Sequence, residues 1–371
     1  MIKVLHFYKT YYPETMGGSE QVIFQIAEGG ARHGFESEVL SLSRQGGARD
    51  EIVGHHVSHR SKLDFHLAST GFSLSVFKDF AALAKTADVI HYHFPWPLMD
   101  VVHFACRIKK PTVVSYHSDI IKQKTLLKLY RPLMDRFLSS VDRIVASSPN
   151  YAQSSPVLNK FEAKVRIIPY GLDRGTYPQS SDEKLDYWRQ LVGSRFFLFV
   201  GALRYYKGLD YLLEAAHATQ LPVVILGGGH LEQELKARAL QLGLNNVYFL
   251  GSLPDEDKAA LLELCYAFVF PSHLRSESFG ISLLEGAMFG KPMISCEIGT
   301  GTTFINIAGE TGLVVPPCDA AALGQAMLSL WQNPEMALTM GENAQRRYEE
   351  FFSADVMAES YANVYRELLH I

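Results

Sequence analysis

Short runs of apolar, β-branched and aromatic residues alternate along the chain with longer stretches in which apolar positions recur every three or four residues. The runs 3–8, 38–42, 89–93, 112–116, 143–146 and 165–168 have the length and composition of buried strands. Between the first two, the stretch 20–32 puts Val22, Ile23, Ile26 and Ala27 on one helical face. The alternation restarts at 196–200 and continues through 223–226, 247–250, 267–270 and 292–295. Strands alternating with helices predict an α/β fold whose parallel sheets are covered by helices on both faces.

The series breaks once, between Gly171 and Ser194, where RGTYPQSSDEK is polar and carries Gly175 and Pro178. The reading is two doubly wound, Rossmann-like domains, 1–172 and 173–350. A terminal segment, 351–371, follows, with a last helical pattern over 354–369. Two such domains facing each other leave a cleft bordered by the carboxyl ends of their strands, where open α/β sheets bind ligands.

Composition narrows the class. Of 371 residues, 47% are apolar and 20% charged, which excludes disorder and collagen and suits two cores. Lys plus Arg total 35 against 39 Asp plus Glu, a net charge of -4, so no nucleic-acid partner is expected. Cys106, Cys265, Cys296 and Cys318 are scattered without CxxC spacing and read as small hydrophobes. No run approaches the ~18 apolar residues of a membrane span. The start MIKVLHFYKTYYPET lacks the apolar stretch of a secretory signal. The expected location is the cytoplasm, with peripheral membrane contact left open.

Four loops at predicted strand ends could carry chemistry. In PETMGGSE, Gly17 and Gly18 would let backbone N–H groups approach an anion at a helix N-terminus, although a plain turn with Ser19 near the cap fits too. This is not the GxGxxG dinucleotide fingerprint. In GALRYYKG, Arg204 and Lys207 suit a diphosphate, with a solvated basic turn as the alternative. In SESFGISLLE, Glu277 and Glu285 are separated by seven residues across the opening of a helix. A start near Phe279 would let Phe279, Gly280 and Ile281 present N–H groups to a phosphate. Glu285 would then lie ~8 Å further along the axis, about the reach from a diphosphate to a ribose. Glu277 would point the other way, toward whatever the phosphate carries. The alternative has Glu277 complementing the helix dipole and Glu285 in solvent, against which stand the apolar neighbours Leu283, Leu284, Ala287 and Met288. Finally, His117 ends the strand 112–116, placed for a ligand or for the core.

His91 and His93 end a strand on one face, but spacing supplies no third metal ligand, so they read as structural. His55, His56 and His59 read as a polar loop. The segment 107–143 sets nine bases, Lys122 and Lys124 among them, against Asp119, Asp135 and Asp142. With its interleaved Ile and Leu it reads either as a face for an anionic leaflet or as a helix covering a core.

Together, the Gly-Gly loop, VGALRYYKGLDYLLEA at 200–215, the Glu277 and Glu285 pair and IIPYGLD at 167–173 resemble the retaining GT-B glycosyltransferases of family 4 over essentially the whole chain. YKTYYPETMGGSEQ and YHSDIIKQK are similar to bacterial mannosyltransferases of O-antigen and related polysaccharide assembly. The resemblance implies a GT-B fold whose last helix crosses back onto the first domain, and a nucleotide sugar held mainly by the second. It implies that Arg204 and Lys207 bind the diphosphate and neutralise it as it leaves. Glu285 would hold the ribose and Glu277 the sugar hydroxyls. Gly17 and Gly18 would lie near the phosphate and acceptor, and His117 beside the transferred sugar. Phe279, Gly280 and Ile281 complete the expected donor site. No metal cofactor is expected. The implied reaction moves mannose from GDP-mannose, with retention, to a lipid-linked saccharide of lipopolysaccharide O-antigen at the cytoplasmic face of the inner membrane, with contact through 107–143 left open. A UDP-sugar or GDP-deoxyhexose donor is the alternative. A nucleotide-sugar epimerase or a two-lobed sugar-binding protein would share the architecture.

Overall fold

The structure is a computed structural model describing residues 1–45, 50–67, 70–121 and 124–371, the side chains of Leu67 and Lys124 excepted. Lys122 therefore lies outside the described residues. Contacts divide the chain into unit 1, Met1–Gly171 with Ala354–Ile371, and unit 2, Leu172–Ser353.

Unit 1 runs β1 (Ile2–Phe7), α1 (Gly18–Gly29), β2 (Phe35–Ser43), β3 (Glu51–Val53), β4 (His56–Lys62), β5 (Phe65–Leu67), β6 (Thr70–Phe72), α2 (Ser75–Thr86), β7 (Val89–Phe94), α3 (Pro97–Ala105), β8 (Thr112–Tyr116), α4 (Lys124–Ser140), β9 (Arg143–Ala146), α5 (Pro149–Ser154) and β10 (Val165–Ile167). Its main sheet has the order β10-β9-β8-β7-β1-β2-β4-β3, parallel except for β3. β7 and β8 are buried at every position, which is why both read as unbroken strands. β4 (HVSHRSK) did not read as a strand because its sequence is polar. It survives in the sheet by hydrogen-bonding its side chains: buried His56 pairs with Tyr11 Oη (2.7 Å) and Glu28 Oε1 (2.7 Å). His56 and His59 thus belong to a strand, correcting the expected polar loop.

Unit 2 runs α6 (Asp182–Val192), β11 (Phe197–Val200), α7 (Leu209–Thr219), β12 (Val223–Leu226), α8 (Glu232–Gln241), β13 (Val247–Gly251), α9 (Asp255–Leu264), β14 (Ala267–Phe270), α10 (Ile281–Met288), β15 (Met293–Cys296), α11 (Thr302–Ile305), β16 (Gly312–Val315), α12 (Ala320–Gln332) and α13 (Pro334–Phe351). Its sheet is wholly parallel in the order β13-β12-β11-β14-β15-β16. Phe197, Leu198, Phe199 and Val200 of β11 are all buried, each contributing roughly 1.5–3 kcal/mol by leaving water.

The last helix, α14 (Ala354–Leu369), packs on α1 within unit 1. Its buried face carries Met357, Ala358, Tyr361, Ala362 and Tyr365, the spacing of one helical stripe.

Among the parallel strands of each sheet there is one point where strand order reverses, between β1 and β7 in unit 1 and between β11 and β14 in unit 2. Loops leaving the carboxyl ends there diverge to opposite faces and open a crevice for ligands. The loops after β1, β11 and β14 are three of the four singled out from sequence, and the fourth follows β8 beside β7.

Candidate active site

In unit 2 the loop after β11 closes with a single 3-10 turn, Tyr205–Lys207, and Gly208 at φ +69°. A Cβ on Gly208 would sit 2.0 Å from the Pro271 carbonyl oxygen at the end of β14, so only glycine lets the two loops press together. That approach sets Lys207 Nζ 2.5 Å from Glu277 Oε2, and Ser272 Oγ donates to the same oxygen at 3.3 Å. The lysine also lies over the Phe270 ring, 4.6 Å from its centroid. A largely buried cation and anion this close compensate each other's desolvation. An incoming diphosphate would exchange one anion for another at Lys207. Burial, with the Glu277 charge adding, pushes the neighbouring Tyr206 phenol up to about 12. Arg204 is exposed at the start of the turn.

Gly280, left-handed at φ +104°, precedes α10, which opens at Ile281. An opening next to Gly280 fits the segment's pattern, and the first helical residue lies two residues after the Phe279 start considered for the phosphate. The left-handed glycine cannot continue a helix backwards, and the Phe279 side chain is buried in packing against Phe352. Glu285, four residues into the helix, therefore stands about 6 Å from its start at ~1.5 Å per residue. It is buried rather than solvated. Its Oε1 accepts from Tyr177 Oη (2.7 Å) and Lys258 Nζ (3.2 Å). Among the hydrogen bonds of the described residues Oε2 has none, which leaves an acceptor for ligand hydroxyls. Burial works against the charge on Lys258, yet the Glu285 and Asp255 carboxylates outweigh it and hold its pKa above the usual lysine value.

In unit 1, Gly17 is extended at the start of α1 and Gly18 is the first helical residue. Glu20 leans back over this end: a Cβ on Gly17 would meet its Oε2 at 2.7 Å. An anion arriving here meets that carboxylate first, so the loop is a poorer anion cradle than its glycines suggest.

His117, one residue past β8, is buried. Its Nδ1 lies 2.6 Å from Tyr170 Oη and its Nε2 3.0 Å from His93 Nδ1. His93 Nε2 is 3.0 Å from His6 Nδ1, and His6 Nε2 is 3.2 Å from Ser37 Oγ. Alongside, His91 bonds Tyr365 Oη (2.7 Å) and Ser115 Oγ (2.8 Å). Burial lowers the pKa of His6 and of His117 to about 3, and those of His91 and His93 well below the usual value. The third imidazole that spacing along β7 could not supply is His6, register partner of His91 on β1. His6, His91 and His93 bring ligand atoms within 4.8 Å of one another. Their ring nitrogens already bond Ser, Tyr or His, so a cation would have to displace those bonds.

Tyr177, Lys258, Ser272 and Tyr170 escaped the sequence reading. Tyr177 lies 108 residues from the carboxylate it orients, and no spacing rule spans such a distance.

The model of the family described as Glycosyltransferase Family 4 matches residues 16–175, and that of Glycosyl transferases group 1 matches 183–347. D-rhamnosyltransferase WbpZ of Pseudomonas aeruginosa is 61% identical over 353 residues, covering 95% of this chain and 93% of that protein. The chain belongs to the family 4 glycosyltransferases. O-antigen chain mannosyltransferase C of Escherichia coli shares 53% identity with this glycosyltransferase over 99% of both chains. Sucrose-phosphate synthase from Thermosynechococcus elongatus superposes over 100% of both chains with a TM-score of 0.82 at 21% identity. The glycosyltransferase has the GT-B fold, with two Rossmann-like domains. Its activity is glycosyl transfer.

Proposed function

We propose that this glycosyltransferase moves mannose from GDP-mannose, with retention, to a lipid-linked saccharide in O-antigen assembly. The observation that carries donor binding is the Lys207–Glu277 pair at the switch point of unit 2, where Arg204 lies on the loop after β11 and the loop after β14 leads into the Gly280–Ile281 helix start and Glu285. Arg204, Lys207 and the first N–H groups of α10 take the diphosphate and stabilise its growing charge as it departs. No metal ion is assigned a role, and EDTA should leave turnover unchanged. Glu285 Oε2 accepts from the ribose hydroxyls. Glu277, released by Lys207, takes sugar hydroxyls, and His117 contacts the transferred sugar. The acceptor hydroxyl attacks C1 on the face the phosphate leaves. The bond from C1 to the bridging phosphate oxygen breaks as the new bond from C1 to the acceptor oxygen forms, and the acceptor proton passes to the departing phosphate oxygen. Trapping a covalent sugar–enzyme adduct would overturn this step.

The mannosyltransferase relative supports the sugar and the polymer. A second reading, a GDP-linked 6-deoxyhexose, is favoured by the D-rhamnosyltransferase at 61% identity, because D-rhamnose is mannose without its 6-hydroxyl. For the acceptor, α4 supports a membrane surface: Leu126 and Leu129 are exposed there beside Lys128 and Arg131. No helix among the described residues is long and apolar enough to cross a bilayer.

Calorimetry with GDP, UDP and ADP tests the base, with Glu285→Ala alongside. Selective GDP binding lost in the variant supports the reading, and selective UDP binding overturns the donor. Comparing turnover of GDP-mannose and its 6-deoxy analogue then decides between the two sugars.

A further inference from the structure

We propose that His93 and His6 are positioning residues, the inner members of a one-directional hydrogen-bonded row, Tyr170–His117–His93–His6–Ser37, that fixes which ring nitrogen of His117 carries hydrogen. This rests on the assignment of His117 to the transferred sugar.

The sheet builds the row. β1, β7 and β8 are adjacent and parallel, so His6, His91 and His93 share the face on which Tyr361 and Tyr365 of α14 also bond. His93 and His117 stack with centroids 5.2 Å apart and ring planes 13° apart. Each imidazole in the row is buried and uncharged, and an uncharged imidazole has one N–H donor and one bare nitrogen acceptor. Both contacts between imidazoles in the row join an Nδ1 to an Nε2. If one ring donates from Nε2, its neighbour accepts at Nδ1 and must itself donate from Nε2. The three rings therefore share a single tautomer.

The ends set the direction. Tyr170 Oη to His117 Nδ1, at 2.6 Å, is short for an N–H donor and suits a phenol donating, the phenol being the more acidic group. His6 Nε2 to Ser37 Oγ, at 3.2 Å, lies in the N–H···O range. Donation therefore runs from Tyr170 to Ser37, and His117, His93 and His6 are all Nε2–H. Both His117 nitrogens are then occupied from within unit 1. The ring meets a sugar as a fixed, uncharged surface and takes no proton, which agrees with the proton going to the departing phosphate.

Long-range proton–nitrogen NMR on 15N-histidine-labelled protein reads the tautomers directly. The expected result is Nε2–H at His6, His93 and His117, unchanged between about pH 5 and 8. An Nδ1–H tautomer or a cation at any of the three overturns the proposal, and no variant is needed. His93→Leu cuts the row, whereas His93→Gln can accept from His117 and donate to His6. His93→Leu should mix the His117 tautomers and lower kcat about 10- to 100-fold, with KM for the nucleotide sugar within about twofold. His93→Gln should restore most of kcat. A single Nε2–H tautomer persisting at His117 in His93→Leu overturns the row as its cause. Mixed tautomers with full kcat leave the row standing and overturn the assignment of His117 to the sugar.

Discussion

At Glu285 two donors, Tyr177 and Lys258, occupy one carboxylate oxygen, and the other is the one proposed to take the ribose hydroxyls. Tyr177→Phe removes one of them, and one hydrogen bond is worth roughly 0.5–1.5 kcal/mol, so the donor KM should rise about 2- to 10-fold with kcat little changed. Glu285→Ala should reduce donor binding by orders of magnitude, on the order of 100-fold, in the same calorimetric titration. Lys207→Met removes the cation proposed to stabilise the departing diphosphate and strands Glu277 as a largely buried charge. Steady-state kinetics should show kcat lower by about 100- to 1000-fold. At this scale the sequence revealed which residues are polar at strand ends. It did not reveal that Lys207 and Glu277 are each other's counter-ions, because they lie 70 residues apart.

Among the elements, strands buried on both faces were legible because their apolar runs are unbroken: 112–116, 143–146, 223–226 and 267–270 match β8, β9, β12 and β14. The polar strand β4 was not, since side-chain hydrogen bonds hold it in place of an apolar pattern of its own. The start of α10 turned on one left-handed glycine, a backbone conformation that the residue type permits without dictating. The contact of the β11 and β14 loops depends on Gly208 in the same way. Gly208→Ala forces a Cβ against the Pro271 carbonyl at a left-handed position. Denaturant unfolding should show a loss of about 2–5 kcal/mol. On α4, Leu126→Ser with Leu129→Ser should weaken binding to anionic vesicles and leave transfer to a water-soluble acceptor unchanged.

Over the whole molecule, the buried histidines couple stability to pH. His6, His91, His93 and His117 have folded-state pKa values below the unfolded value near 6.5, so the unfolded chain binds more protons in the window between. Stability is therefore full above about pH 6.5 and falls as pH drops toward about 3, by about 1.4 kcal/mol per pH unit for each histidine fully protonated on unfolding. Asp100 opposes this, since burial raises its pKa and it keeps its proton in the fold above the unfolded value. Urea midpoints measured from pH 7 to about 4 should fall steeply, and less so in His93→Gln. By itself the sequence determined the α/β alternation, the two series of strands and the loops that carry polar side chains, because burial and backbone geometry act over a few residues. Tertiary structure alone decided that β11 and β14 lie side by side, that Tyr177 and Lys258 hold Glu285, and that His6, His93 and His117 form one row. Those pairings join residues tens to hundreds of positions apart, and only strand order and register bring them within hydrogen-bond distance.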